Sequence, residues 1–498
     1  MRRILHTIAL LACAAALVAG CGGDDSSGGP LEEALSYVPA DTPFAIAIGT
    51  DVEGDQYAAL DEVLGRFPNG DSLEDMLRQE LEEGDEGVSY EEDVKPLLGN
   101  PFVVGATDIR TFVGESEDDD FVAAIQARDS EALDRLVEKT QPEEQGEVAG
   151  ATVYEDDDTV FAIEDDIVVF AGTRQLLESA LERADGGDGL DPDTFEESLD
   201  GLPGEALARA YIDLQALIEQ DPDTEPARRV DWVAALRTMG LTASVQDDAV
   251  DVEFNMRTEG DLSEEDLPLA AGEEAPRVLQ EPGEIGFGLR DPRQVATFFE
   301  SAFQAVDPQS FGDYETGKRA VSQRYDIDVD EDVFGQLTGD TSVSVAVDGS
   351  FGARAEVEDP QAFTDTVDRL AEALPELGSG LGVTDVTRSG GLYEASLADG
   401  GRFVFGMSED VFVAASDAAR ARELGSQEPS EVSDATGSLV MAADAEQLAS
   451  QLLQQLLPQT GLGGAFGAGL FTRPLDQLSG SVESSTDGLR GRLRLTLD

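Results

Sequence analysis

The chain has 498 residues, 41% of them hydrophobic, and a formal net charge of −73. That length suggests two or three domains, and the apolar fraction supplies cores that argue against wholesale disorder. Such acidity makes nucleic acid a poor partner, because phosphate binding needs Lys and Arg to displace counterions.

The first twenty residues have the order of a secretory signal peptide. Met1, Arg2 and Arg3 make a basic start, residues 8–18 an apolar run, and Ala19-Gly20 a small-residue end before Cys21. The run is too short and too Ala-rich for a permanent span, which needs about 20 strongly apolar residues. Val18-Ala19-Gly20-Cys21 resembles the bacterial lipobox, which implies Cys21 as the mature N-terminus carrying a diacylglyceryl thioether. Membrane contact is then expected through that lipid, since two or three acyl chains anchor stably where one binds only marginally. Residues 1–20 are thus expected as the lipoprotein signal peptide. Residues 21–30 hold nothing apolar to bury and read as a flexible tether reaching roughly 15–20 Å.

Removal of the signal takes Arg2 and Arg3, leaving −75, and also takes His6, the sole histidine, and Cys13. The body then has no imidazole and no free thiol. Ser-His-Asp and Cys-His catalysis, His/Cys zinc sites and intrachain disulfides fall away. Only Lys95, Lys139 and Lys318 are lysines. The acidity favours solubility, and a salt-rich habitat accounts for it without any binding role.

Tyr37-Val38-Pro39-Ala40-Asp41-Thr42-Pro43 leads into the apolar strand Phe44-Ala45-Ile46-Ala47-Ile48. This Val-Pro-Ala-Asp-x-Pro step, just after a lipoprotein signal, resembles a large bacterial family of lipid- or membrane-anchored envelope proteins catalogued as a domain of unknown function. The resemblance implies location and fold type and brings no catalytic residues. At the corresponding place in the second half stands Gln280-Glu281-Pro282-Gly283-Glu284-Ile285-Gly286-Phe287, which departs from it.

Internal similarity sets the expected architecture. Residues 97–108 and 337–348 each read as a helix end, a Gly stop and a strand. Residues 121–137 and 351–367 each read as a strand, an Asp N-cap and an amphipathic helix, with Pro360 at the favoured first helical position. Residues 160–163 with 166–169 match 404–407 with 410–413 as hairpins, each followed by a helix (173–183; 417–424). Residues 210–217 match 441–448, and two alternating strands close each half (241–245 with 250–256; 478–482 with 489–497). Two tandem homologous α+β lobes are therefore expected, each a mainly antiparallel sheet with helices on one face. The first unit spans 31–262, including 260–262 of a Glu/Pro-rich stretch, the linker 263–272, and the second unit 273–498.

Candidate sites are weak. Asp326, Asp328, Asp330 and Asp332 alternate as at the start of a calcium loop, but Glu331 replaces Gly and Leu337 replaces the final Glu, so the run reads as a solvated acidic loop. Asp118-Asp119-Asp120 and Asp156-Asp157-Asp158 read as acidic hairpin tips. Glycines in 461–469 lack the Lys-Ser/Thr ending of a phosphate loop. Tyr314 and Lys318 have the spacing of a short-chain dehydrogenase pair without its glycine-rich strand-turn-helix.

Residues 448–457 form an apolar helical run, and after Pro458 come Leu462, Phe466, Leu470 and Phe471 among glycines. The matching stretch of the first half, 217–237, is rich in charge. Such an exchange fits packing between the lobes or contact with a partner or an apolar ligand. The expected role is a non-catalytic extracytoplasmic lipoprotein, a binding or scaffold module of the envelope without a cofactor or metal. The alternatives are a carrier of an apolar ligand between the lobes and a hydrolase using carboxylates without His or Cys.

Overall fold

The computed structural model describes residues 29–68, 70, 72–84, 87–106, 120–156, 159–377, 382–460 and 472–498. They divide into two compact units. The first holds the described residues up to Gln220 with Arg237–Arg257, the second Asp221–Leu236 with Thr258–Thr496.

The first unit contains β1 (Phe44–Ile48), β2 (Phe102–Ala106), β3 (Phe121–Gln126), β4 (Glu143–Val148), β5 (Ala151–Asp156), β6 (Thr159–Glu164), β7 (Ile167–Ala171), β8 (Ala208–Asp213), β9 (Leu236–Gln246) and β10 (Ala249–Thr258). They lie side by side in the order β4-β5-β6-β7-β3-β2-β1-β8-β9-β10, antiparallel from β4 to β9.

The second unit contains β11 (Glu284–Leu289), β12 (Thr341–Ala346), β13 (Phe351–Glu356), β14 (Val383–Ser389), β15 (Leu392–Leu397), β16 (Arg402–Ser408), β17 (Val411–Ala415), β18 (Leu439–Asp444), β19 (Leu475–Ser485) and β20 (Gly488–Leu497). Their order, β14-β15-β16-β17-β13-β12-β11-β18-β19-β20, repeats the first strand for strand.

The repetition extends to register. Ala162 faces Val169 across β6 and β7, and Gly406 faces Val413 across β16 and β17. Val122 faces Ala171, and Gly352 faces Ala415. A one-residue slip would turn every side chain to the other face of the sheet, so shared register requires a shared inward pattern. β11 has little of the apolar sequence of β1, yet it lies between β12 and β18 as β1 lies between β2 and β8.

Both units are α+β with antiparallel sheets, and in the first unit helices cover both faces instead of one. The reason is in the strands: β3 and β7 are apolar at successive positions, not alternate ones. Val122, Ala124, Val169 and Ala171 join a core with Leu177, Leu181 and Phe195, from the helices Arg174–Gly186 and Pro192–Ser198. Ala123, Ile125, Val168 and Phe170 join an opposite core with Leu77, Leu81, Leu133 and Leu136, from Leu73–Gly84 and Ser130–Thr140. Asp129 caps the last of these by accepting from Ala132 N at 3.0 Å.

The Val-Pro-Ala-Asp-x-Pro step is a corner that ties the chain onto this sheet. Thr42 Oγ1 donates to Ala106 O at 2.8 Å, Leu190 N to Val38 O at 2.9 Å, and Asp213 N to Pro43 O at 2.9 Å. Val38 is fully buried, and a Cβ on Gly105 would meet its Cγ1 at 2.3 Å. Only glycine allows β2 to pass that close.

Residues 263–272, expected as a linker, are bonded to second-unit residues. Ser263 and Asp266 form a capping box, Leu267 is fully buried, and Gln294 Nε2 donates to Glu264 O (2.8 Å) and Leu267 O (2.7 Å).

Candidate functional site

Each lysine lies within 4 Å of at least one carboxylate. Lys318, on the helix Pro308–Tyr325, donates to Asp330 (2.7 Å) and Glu300 (3.0 Å) and pairs with Glu315 at 3.1 Å. Burial alone would lower its ammonium, but the bonds to Asp330, Glu300 and Glu315 outweigh that and raise it. Tyr314 OH donates to the same Glu300 oxygen at 2.6 Å. Burial first, and then that bond, push the phenol up to about 12. A tyrosine acting as a base at neutral pH needs the opposite shift. The Tyr-x-x-x-Lys spacing is therefore an ionic clasp between two helices.

The acidic run at 326–332 is ordered by its own backbone. Asp328 accepts from the backbone N–H groups of Asp330 (3.0 Å) and Glu331 (3.2 Å). Asp332 accepts from Asp328 N at 2.9 Å and returns its own N–H to Asp328 O at 2.7 Å. The π-turn Val329–Val333 followed by the 3-10 turn Phe334–Gln336 results.

The first unit has the same device at Tyr90–Val94 and Lys95–Leu97, with Asp93 accepting from Ser89 N at 2.7 Å. Asp93 is nearly buried and takes the Lys139 ammonium as partner. Arg369, nine residues into its helix as Lys139 is into its own, donates to Asp326 O at 2.6 Å. Among the described residues no three His, Cys, Asp or Glu side chains are set to hold a metal ion.

Beside the first of these turns lies an open cleft of about 710 Å³, lined among others by Asp51, Glu53, Glu91, Lys95, Arg128 and Glu131. Lys95 Nζ is 3.7 Å from both Glu53 and Glu74 and 4.0 Å from Glu91. Arg128 is 3.9 Å from Asp51. Such wet, long pairs contribute little to stability and hold no reacting group in place. A smaller groove of about 290 Å³ in the second unit is lined by Glu281, Glu284, Asp444 and Asp476. Arg420 donates to Glu284 and Ser344 beside it, at 3.0 and 2.9 Å.

The expected lipidation residue Cys21, its recognition residues Val18, Ala19 and Gly20, and the contact residues Leu462, Phe466, Leu470 and Phe471 lie outside the described residues. So do Asp118, Asp119, Asp157, Asp158 and the glycine-rich 461–469. Sequence reasoning missed the carboxylate partners of the lysines. Glu91–Lys95 and Glu315–Lys318 follow helical spacing and could have been found; Glu300 and Asp330 are brought to Lys318 only by the fold.

The chain belongs to a family described as a protein of unknown function (DUF3352), whose model matches residues 4–375. No curated protein matches it. Among solved structures it is similar to crystal forms III, IV and I of TP0453, at 13, 11 and 12% identity. These cover 46, 45 and 48% of this chain and 81, 80 and 82% of TP0453, each with a TM-score of 0.27. Among the described residues no helix is long and apolar enough to cross a membrane.

Proposed function

We propose that the protein is a non-catalytic extracytoplasmic lipoprotein, anchored by a lipid on Cys21, that acts as a binding or scaffold module of the cell envelope. The observation that carries the non-catalytic part is the use of its cations. Lys139 and Lys318, with Arg369 and Arg420, pin turns and strands of the two units. Tyr314, the phenol beside Lys318, is shifted away from a base. Membership in a family without a described activity is compatible with this reading. The anchor rests on the lipobox-like Val18-Ala19-Gly20-Cys21 and on the tether that follows it.

Partner contact is assigned to Leu462, Phe466, Leu470 and Phe471, where the second half replaces the charges of the first. Crosslinking in intact cells tests it. A protein captured by wild type and lost in the Phe466→Ser, Phe471→Ser double variant, with the melting transition unchanged, supports the reading. Identical capture by both chains, or a collapsed transition in the variant, contradicts it.

A further inference from the structure

The second unit carries a helical hairpin, Pro292–Val306 followed by Pro308–Tyr325, turning at Asp307. Not one residue of its first helix is buried, although that helix bears Val295, Phe298, Phe299, Ala302, Phe303 and Val306. Near the turn Phe299 is 65% exposed and Val306 37%. Phe303 packs edge-on to Phe311 at 5.8 Å and lies 6.1 Å from Phe299, so the tip is one aromatic cluster with Phe299 outermost.

Its charge is equally unusual. Residues 301–312 contain a single charged side chain, Asp307, in a chain that is 28% charged. Asp307 accepts from Ser310 N at 3.0 Å and caps the second helix. Of the two flanking carboxylates, Glu300 is bound by Tyr314 and Lys318 within the hairpin, and Asp313 is exposed. The tip therefore presents apolar rings and uncharged polar groups around the single carboxylate of Asp307.

The fold does not require this. In the first unit the two helices between β1 and β2 are Asp55–Gly65, with Tyr57, Leu60 and Val63 buried, and Leu73–Gly84, with Leu77 and Leu81 buried. In the duplicate the apolar side chains of the first helix are at most half-buried, and Phe299 and Val306 are exposed at the surface, where large ones seldom cluster without a partner.

We propose that the tip of this hairpin docks into the interfacial region of a lipid bilayer. An amphipathic helix pair lays its apolar face among headgroups and upper acyl chains, and the fit is best where its own charge does not oppose approach. A second copy of this chain is disfavoured as occupant, because each copy without residues 1–20 carries −75, the −73 of the whole chain less Arg2 and Arg3, and like bodies repel. Zwitterionic lipid carries no net charge, and residues 301–312 bring only one charge, Asp307, to the contact. The contact is separate from the proposed anchor on Cys21 and places the second unit at the same surface.

The test uses the chain from residue 21 onward with Cys21→Ser, which keeps every described residue and lacks both lipid and native thiol. Phe299→Cys then gives a unique site for a polarity-sensitive fluorophore, and Asp385→Cys on the exposed edge strand β14 gives the control. With phosphatidylcholine vesicles the label at 299 should shift to the blue and brighten at least twofold, while the label at 385 stays unchanged. In the unlabelled chain, Phe299→Ser with Val306→Ser should cut vesicle cosedimentation at least tenfold with the melting transition retained. No response at 299 overturns the proposal. So does a label already blue without vesicles, which means the protein covers its own tip or pairs with a second copy. Because the lipid is absent throughout, failure here leaves the reading of Cys21 standing on its own test.

Discussion

Gly105 and Val38 should behave as one packing unit, and the structure gives the size of the effect. A methyl at Gly105 would sit 2.3 Å from Val38 Cγ1, 3.2 Å from Cγ2 and 3.3 Å from Cβ, with Val38 fully buried. Overpacking of this kind costs about 1–3 kcal/mol, and that is the expected loss for Gly105→Ala. Val38→Ala removes both Cγ methyls and leaves a cavity, costing about 1–3 kcal/mol. In the double variant the new methyl meets only Cβ at 3.3 Å and fills part of the space. The loss in the double variant should therefore fall short of the sum of the two single losses by about 1–2 kcal/mol, within the range found for touching residues. Urea unfolding of the unlipidated chain, followed by circular dichroism, measures the cycle. Losses that add within about 0.5 kcal/mol would refute the role of the Val-Pro-Ala-Asp-x-Pro corner as a latch on β2.

Two further outcomes follow from charge. Dense carboxylates repel one another and salt screens them within about 10 Å at 0.1 M, so the melting temperature should rise from low salt to about 0.5 M; a steady fall would contradict this. Tyr314 and Tyr211 both have phenols raised to about 12, chiefly by burial, against an ordinary value of 10.0. Proton binding by the folded state then exceeds that of the unfolded state above pH 10, so their contribution is complete below pH 10 and lost as pH rises through 12. Urea midpoints from pH 9 to 12 should fall for wild type and fall less steeply for Tyr314→Phe; equal slopes would show that this phenol is not linked to folding.

The duplication was legible because hairpins such as β6-β7 and β16-β17 keep an apolar pattern at fixed spacing, and register leaves that pattern little freedom. The corner at Val38 was legible as a motif, but its job needed coordinates, since Gly105 lies 67 positions away in the sequence. Edge strands were the hardest elements. β4, Glu-Glu-Gln-Gly-Glu-Val, has no alternation and is half-exposed or exposed throughout, and pairing with β5 alone makes it a strand. β11 was obscure for the opposite reason: it is central, yet Gly286 and Gly288 leave no side chain where a Cβ would meet the backbone oxygens of Leu279 and Arg277. The alternating aspartates of 326–332 looked like a loop because their hydrogen bonds go to their own backbone, which composition does not reveal. The hairpin at 292–325 carried its signal in Phe298-Phe299 within a nearly uncharged run, but helical periodicity does not tell a buried face from an exposed one.

The attachment of the chain through Cys21 is tested most directly by fractionating cells that express wild type or Cys21→Ser and weighing the mature wild-type chain. The account predicts a wild-type chain in the membrane fraction that begins at Cys21 and carries the mass of diacylglyceryl, and a variant that is released or left as precursor. A variant processed normally and retained fully in membranes, or a wild-type N-terminus without lipid, would contradict it.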